Sequence, residues 1–387
     1  MAVRTMPRSE RAVSMRSTPL LSFDPLLVLG AVGLGVMSLI VLHGAAPAYV
    51  SRQAIYLVVG FALMLGVSRL DYWRLREIKW VLYAVMILSI LVILALGAPV
   101  NGASRAISIA GISFQASELG KLLLIVSLAA IVADSPRKIS ASRLTLTVMG
   151  FALLPAALVI EEPDLGSGLV YVVIAFAILY IAGIPGRHLV ALAAVGVGAL
   201  LFALVIAPAL GLHVLKQYEE QRLTGFLSPS QNPNSYDHQQ VESVIGVGAG
   251  EGTGRGAGAT QTTLGLVGTE APTDFIFTVV GERLGFAGAA CVLSLYALIT
   301  WRTLRIVANA KNLFAALIAA GAVAMLMFQV FVNVGMAIGI MPITGVTLPL
   351  LSYGGSSVIT TFLTLGLLQS IYSQTRSAPS GRTLRVQ

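Results

Sequence analysis

The sequence predicts an all-α, polytopic membrane protein with about ten transmembrane helices and one large extracytoplasmic loop. Three observations predict it. Of 387 residues, 56% are hydrophobic and only 11% charged, with a mean hydropathy of +0.86, far from the composition of a water-soluble domain. Apolar runs lie near 24–43, 51–68, 79–98, 118–133, 144–160, 166–184, 189–210, 275–299, 313–340 and 355–373, and each is close to the ~20 residues that cross a bilayer. None alternates apolar and polar residues as a barrel strand does. One long hydrophilic segment, about 211–273, interrupts them. The domain reading is a basic cytoplasmic tail (1–23), one transmembrane domain (24–373) and a second basic cytoplasmic tail (374–387).

Met1–Ser22 is polar and basic, and the first apolar run is long enough to remain a span, so the N-terminus is expected inside with no cleavable signal. Alternating ten spans from there places 18 of the 25 Lys and Arg residues in cytoplasmic segments, as the positive-inside rule requires. The formal net charge of +8 is thereby largely topology and attraction to anionic membrane lipid, with no nucleic-acid partner implied. Cys291 is the one cysteine, which excludes an internal disulfide.

The first three spans carry few polar residues and read as scaffold; Asp71-Tyr-Trp-Arg74 with Arg76 and Lys79 marks a cytoplasmic turn with aromatic and basic anchors. Chemistry begins at Asn101-Gly-Ala-Ser-Arg105 on the outer side and continues through Ser117-Glu-Leu-Gly-Lys121 at the start of the fourth span. Glu118 and Lys121 share a helix face, with Ser117 as the expected N-cap. They read either as a structural ion pair or as the edge of a functional cavity. Glu161-Glu-Pro-Asp-Leu-Gly166 follows, again outside. Pro163 frees backbone groups that only protein or water can satisfy. Asp164 is then placed to pair with Lys121 or Arg105, the alternative being a solvated acidic loop.

The outer loop carries Tyr218, Arg222, Tyr236 and Gln240, and then Gly246-Val-Gly-Ala-Gly-Glu-Gly-Thr-Gly-Arg-Gly-Ala-Gly258. Glycine at every second position reads as a flexible linker or as amides approaching an anion. The loop ends in Gly268-Thr-Glu-Ala-Pro-Thr-Asp-Phe-Ile-Phe277, which sets Asp274 where polar chain meets an apolar helix. An acid there meets both an aqueous group and a lipid-borne one, or serves only as a helix cap with Thr273. By helical spacing Thr278 and Glu282 continue below Asp274 on nearly one face, with Glu282–Arg283 as a self-compensating alternative. Asn333-Val-Gly335, Gly339–Gly345 and Leu348-Pro-Leu-Leu-Ser-Tyr-Gly-Gly-Ser-Ser357 read as broken helix lining a cavity.

In this order, Ser117-Glu-Leu-Gly-Lys121, Pro163-Asp-Leu-Gly166, Thr273-Asp-Phe-Ile-Phe277 and Leu348–Ser357 resemble the SEDS family of bacterial cell-wall polymerases, over about Phe23 to Tyr372. The chain departs from the family pattern at Ala106, Ala116 and Thr269-Glu-Ala-Pro272, and in the residues after the first loop glycines, without losing an ionisable group. The resemblance implies a peptidoglycan glycosyltransferase that polymerises lipid II on the outer face of the plasma membrane. It makes Asp274 the expected general base. Arg105, Lys121 and Arg222 are expected to hold diphosphate, with Glu118 and Asp164 orienting Lys121. Gln240, Glu270, Ser352 and Tyr353 complete the expected substrate-contacting set. A class B penicillin-binding protein is the implied partner for crosslinking. No metal site is legible, although outer-face acids make a divalent cation, Mg²⁺ or Mn²⁺, feasible between Asp274 or Glu270 and diphosphate. Compact length and short tails are those of the elongation type; a division-type polymerase and a lipid II flippase are the alternatives.

Overall fold

The computed structural model describes residues 23–96, 107–109, 112–136, 140–202, 236–259 and 270–377. Almost all of them are helical. In chain order the helices are α1 (Pro25–Ala45), α2 (Pro47–Ser68), α3 (Trp73–Glu77), α4 (Lys79–Leu96), α5 (Ala116–Asp134), α6 (Ala141–Glu161), α7 (Leu165–Ile181), α8 (Gly186–Leu201), α9 (Tyr236–Ala249), α10 (Ile276–Ala308), α11 (Leu313–Ala337) and α12 (Gly355–Ser377). A small antiparallel hairpin, β1 (Ile107–Ile109) and β2 (Ile112–Phe114), pairs Ile107 with Phe114 just before α5. Six helices, α1, α2, α5, α6, α10 and α11, are long and apolar enough to cross a membrane, and α4, α7 and α8 are shorter apolar helices. The chain is a polytopic membrane protein, and each apolar run of the sequence corresponds to one of these helices or to α12.

Exposed apolar side chains sort the helices by depth. On α1, Leu29, Val32, Val36 and Ile40 recur at helical spacing and are all exposed, which is the lipid-facing stripe expected of a peripheral span. Most of α5 and α11 is buried, so these two lie at the centre. α5 packs against α4, α6, α7, α11 and α12, and carries Glu118 and Lys121 into the interior.

The segment read as a loop contains structure: α9 lies within it and packs on α10 and α11. Two of its glycines, Gly250 and Gly254, are required by a close backbone approach, while Gly248, Gly252, Gly256 and Gly258 face open space. A Cβ on Gly250 would stand 1.8 Å from the Gly281 carbonyl oxygen, and one on Gly254 2.2 Å from that of Arg283. The backbone lies directly on α10, where Gly285 (φ +63°) breaks the helix. The groups freed at that break are paired: the Phe286 and Ala287 amides donate to the Glu251 and Gly252 carbonyls at 2.8 and 3.1 Å, and the Arg255 amide donates to the Glu282 carbonyl at 2.8 Å. In a membrane-embedded helix such accounting is obligatory.

Acidic and basic latches fasten the end opposite Asp274. Asp24 caps α1 and accepts from Arg302 at 2.7 Å (Nε) and 2.5 Å (Nη2), while Gln369 of α12 bonds both backbone groups of Asp24 at 2.8 and 3.0 Å. Arg76 and Lys79 both reach Asp134 at the end of α5.

Candidate functional site

The N-terminal ends of α5, α7, α10 and α12 converge. The Gln115 amide, at the α5 N-cap, donates to Ser356 Oγ at 2.9 Å, its side chain donates to Asp164 at 3.0 Å, and the Tyr353 amide donates to the Pro272 carbonyl at 2.9 Å. Helix N-termini present unpaired amides and the positive end of the dipole; Asp164 already occupies that of α7, and those of α5, α10 and α12 favour an anion.

Asp274 sits in the turn before α10, nearly buried, and its backbone is held from three sides. The Glu270 carbonyl accepts the Thr273 and Asp274 amides at 3.1 and 2.9 Å. Ser352 Oγ accepts the Leu348 amide at 2.8 Å and donates to the Thr273 carbonyl at 2.6 Å. Asn333, fully buried on α11, donates to the carbonyls of Asp274 and Val346 at 2.7 and 2.8 Å. The Leu348–Tyr353 turn is in turn held by Gln53 and Ser38: Ser38 Oγ donates to Leu351 O at 2.7 Å and Gln53 Nε2 to Ser352 O at 3.1 Å. Buried Leu350 takes φ +64°, a left-handed backbone that a bulky residue adopts only where its surroundings enforce it. The Tyr353 ring lies 4.4 Å from that of Tyr49, centroid to centroid.

Beside this turn Lys121 Nζ lies 2.6 Å from Glu118 Oε1, both buried. Asp164 does not join them. It caps α7 through the Ser167 amide at 3.0 Å and accepts from Gln115 Nε2 and Ser117 Oγ, each at 3.0 Å. The expected Asp164–Lys121 pair is thus replaced by a cap, because Pro163 ends the turn where the α7 amides need an acceptor. Likewise Ser117 is not the N-cap of α5; that position is Gln115, and the Ser117 hydroxyl serves Asp164. Asp274 and Thr273 do not cap α10 either: Phe275 holds that position, without a side-chain bond. Glu162 is not solvated. Among the described residues neither of its carboxylate oxygens has a hydrogen-bond partner, and burial, with the Asp164 charge second, raises its pKa to about 8.

Asp274, Glu118, Lys121, Asp164, Glu270, Ser352 and Tyr353 therefore share one end of the bundle. Gln240 reaches the same end by bonding the Met341 carbonyl at 2.6 Å, an anchoring contact of α9. Arg105 and Arg222 lie outside the described residues. Gln53, Ser38 and Glu162 are the site residues that sequence reasoning missed, an amide inside an apolar run being the available signal for Gln53; Asn333, read there as part of a broken helix, lies within unbroken α11 and tethers the Asp274 turn. Among the described residues no three His, Cys, Asp or Glu side chains group so as to hold a metal.

Residues 20–377 match the FTSW_RODA_SPOVE family, described as cell cycle protein. Stage V sporulation protein E of Bacillus subtilis (strain 168) is 29% identical over 331 residues, 85% of this chain and 88% of the relative. The peptidoglycan glycosyltransferase RodA of Treponema pallidum (strain Nichols) is 30% identical over 384 residues, 83% of this chain and 88% of the relative. A structure solved for "Structural coordination of polymerization and crosslinking by a peptidoglycan synthase complex" superposes with a TM-score of 0.76 at 31% identity, covering 92% of this chain and 100% of that one.

Proposed function

The chain belongs to the FtsW/RodA/SpoVE family, and from that premise we propose that it is a peptidoglycan glycosyltransferase which polymerises lipid II by inverting transfer, with Asp274 as general base. The observation that carries the reading is that helix N-termini meet at the end of the bundle that holds Asp274, whose carbonyl is held by Asn333 and amide by Glu270, with Ser352 on the neighbouring Thr273 carbonyl. In the transfer, the acceptor hydroxyl oxygen bonds to the anomeric carbon of the donor as the bond from that carbon to diphosphate breaks. Asp274 takes the hydroxyl proton, and the lipid diphosphate leaves towards the helix ends and cations. The donor linkage is α and the product β, so a single displacement needs no covalent intermediate on the protein.

Lys121 is the described cation that we assign to the diphosphate, oriented by Glu118; Arg105 and Arg222 are assigned with it on the resemblance. Ser352 and Gln240 act through backbone contacts, as positioning residues. A divalent cation, Mg²⁺ or Mn²⁺, would be held by Asp274 or Glu270, since Mg²⁺ takes one or two protein carboxylates beside substrate phosphate. Bound there, it would offset leaving-group charge.

We place the Asp274 end outside the plasma membrane and both termini inside. Arg69, Arg76, Lys79, Arg302, Arg305 and Arg376 all lie towards the opposite end, which supports that orientation. The partner we propose is a class B penicillin-binding protein, in keeping with the synthase complex to which the fold is similar. Elongation is the proposed cellular role, on the resemblance alone; filamentation rather than rounding on depletion would move it to division. The test of the activity is labelled lipid II given to the purified protein with that partner: glycan strands support the proposal, whereas head-group translocation in vesicles without strands assigns the chain to lipid flipping.

A further inference from the structure

At the end of the bundle far from Asp274, α10 and α12 enclose a cavity of about 320 Å³ lined by Arg302, Arg305, Ile306, Asn309, Tyr372 and Arg376, with Thr375. That is the lower size of small-ligand pockets and holds far more than a single water. The 33 residues of α10 separate this cavity from Asp274 by about 45 Å, allowing 1.5 Å per residue and a kink. It is no part of the site described above.

Its charge is uncompensated. Arg302 is offset by buried Asp24, but among the described residues no carboxylate pairs with Arg305 or Arg376, both exposed. Aromatic faces hold the guanidiniums instead: Arg302 and Arg305 lie 5.2 and 5.5 Å from the Trp301 ring centre, and Arg376 lies 5.0 Å from that of Tyr372. Stacking fixes the plane of a guanidinium and leaves its N–H edge to fork onto an oxyanion. On the adjoining face of α10, outside the lining of the cavity, Trp301 and Leu304 are 45% and 48% exposed and make an apolar, lipid-facing rim. A tryptophan at the end of a span, next to arginines, is the arrangement of the membrane–water interface.

We propose that this cavity binds the phosphate of an anionic phospholipid, with its acyl chains running along the Trp301–Leu304 face of α10. The shared chemistry is a phosphate oxyanion on two free guanidiniums; the apolar rim selects the lipid over free phosphate. Because Asp24, Arg302 and Gln369 already join α1, α10 and α12 here, an occupant stabilises the joint of three helices.

The test uses the full chain in detergent, with phosphatidylglycerol, phosphatidylcholine or inorganic phosphate added in parallel, and reads bound lipid by native mass spectrometry and stability by thermal unfolding. Wild type should retain phosphatidylglycerol and melt higher with it, and phosphatidylcholine and inorganic phosphate should do neither. The double variant Arg305→Gln/Arg376→Gln should keep its melting temperature in phosphatidylcholine but hold phosphatidylglycerol about thirtyfold more weakly, from about fivefold per basic group. Should the double variant not fold, each single variant is read against the fivefold figure. Equal retention by variant and wild type, or equal stabilisation by phosphatidylcholine, overturns the proposal; stabilisation by inorganic phosphate alone reassigns the cavity to a soluble anion. None of these readouts depends on glycosyl transfer.

Discussion

Replacing Asn333 by leucine should damage both stability and the geometry around Asp274. The substitution nearly conserves volume but removes the Nδ2 donor that bridges the carbonyls of Asp274 and Val346 at 2.7 and 2.8 Å. Each stranded buried carbonyl costs about 1–3 kcal/mol. One gain offsets this: Asn333 Oδ1 is itself buried without a partner among the described residues, and removing it recovers about 1–3 kcal/mol. The net loss is about 1–3 kcal/mol, or a melting temperature lower by about 2–6 °C at roughly 2 °C per kcal/mol for a chain of this size. Activity should fall further, because the 270–275 turn loses its tether to α11 and a misplacement of about 1 Å costs about a hundredfold in rate. Asn333→Asp sharpens the test: it keeps the shape, yet sets a carboxylate against two carbonyls, and should be at least as damaging as leucine. The assays are thermal unfolding and lipid II polymerisation at saturating partner, read as kcat. Wild-type kcat in Asn333→Asp would refute the role given to this tether.

Other outcomes follow from single contacts. Gly250→Ala, whose Cβ would meet the Gly281 carbonyl at 1.8 Å, should destabilise by about 1–3 kcal/mol or more, whereas Gly248→Ala, with open space around it, should be neutral or stabilising by about 0.5–1 kcal/mol; equal melting temperatures would contradict the close approach of this stretch to α10. Lys121→Met leaves buried Glu118 uncompensated and should cost about 3–5 kcal/mol, while Glu118→Leu/Lys121→Met should recover stability but not polymerisation; full activity in the double variant would make the pair structural only. For Glu162, in the turn between α6 and α7, the folded pKa of about 8 lies above the ordinary 4.5. Below 4.5 both states are protonated; between 4.5 and 8 the unfolded chain ionises while the fold keeps its proton, so stability declines with rising pH. The slope is about 1.4 kcal/mol per pH unit, for at most about 5 kcal/mol. Glu162→Gln should therefore match wild type near pH 4.5 and be the more stable of the two by pH 8, and parallel stability curves would contradict the burial of a partnerless carboxyl.

Fold class and the positions of the apolar helices were legible because bilayer thickness writes itself into run length, although only six of the ten runs form helices long and apolar enough to cross a membrane among the described residues. The grouping of Glu118, Lys121, Asp164 and Asp274 was legible as a set of acids and bases on one side, but not as contacts. Ser352 serves the carbonyl of Thr273 across 79 positions of sequence, and no local pattern reports that. A shared side of the membrane suggested a charge pair of Asp164 with Lys121 or Arg105, yet the nearer demand of the α7 amides prevailed over Lys121. The glycine alternation likewise admitted a linker or a nest; only the position of α10 opposite it shows why side chains are excluded at Gly250 and Gly254. α10 extends to Ala308 rather than ending near 299, because Arg302 and Arg305 have an acid and an aromatic ring to pack on at the helix end.

In the proposed transfer the Asp274 carboxylate accepts the proton of the attacking hydroxyl. This step is tested most directly by lipid II polymerisation with Asp274→Asn, at matched melting temperature and matched binding of the penicillin-binding partner. Asparagine nearly preserves the volume of the side chain and leaves in place the backbone bonds from Asn333 and to Glu270. Loss of about a hundredfold or more in rate, the usual worth of a general base, is the predicted result, whereas glycan strands formed at the wild-type rate would contradict it.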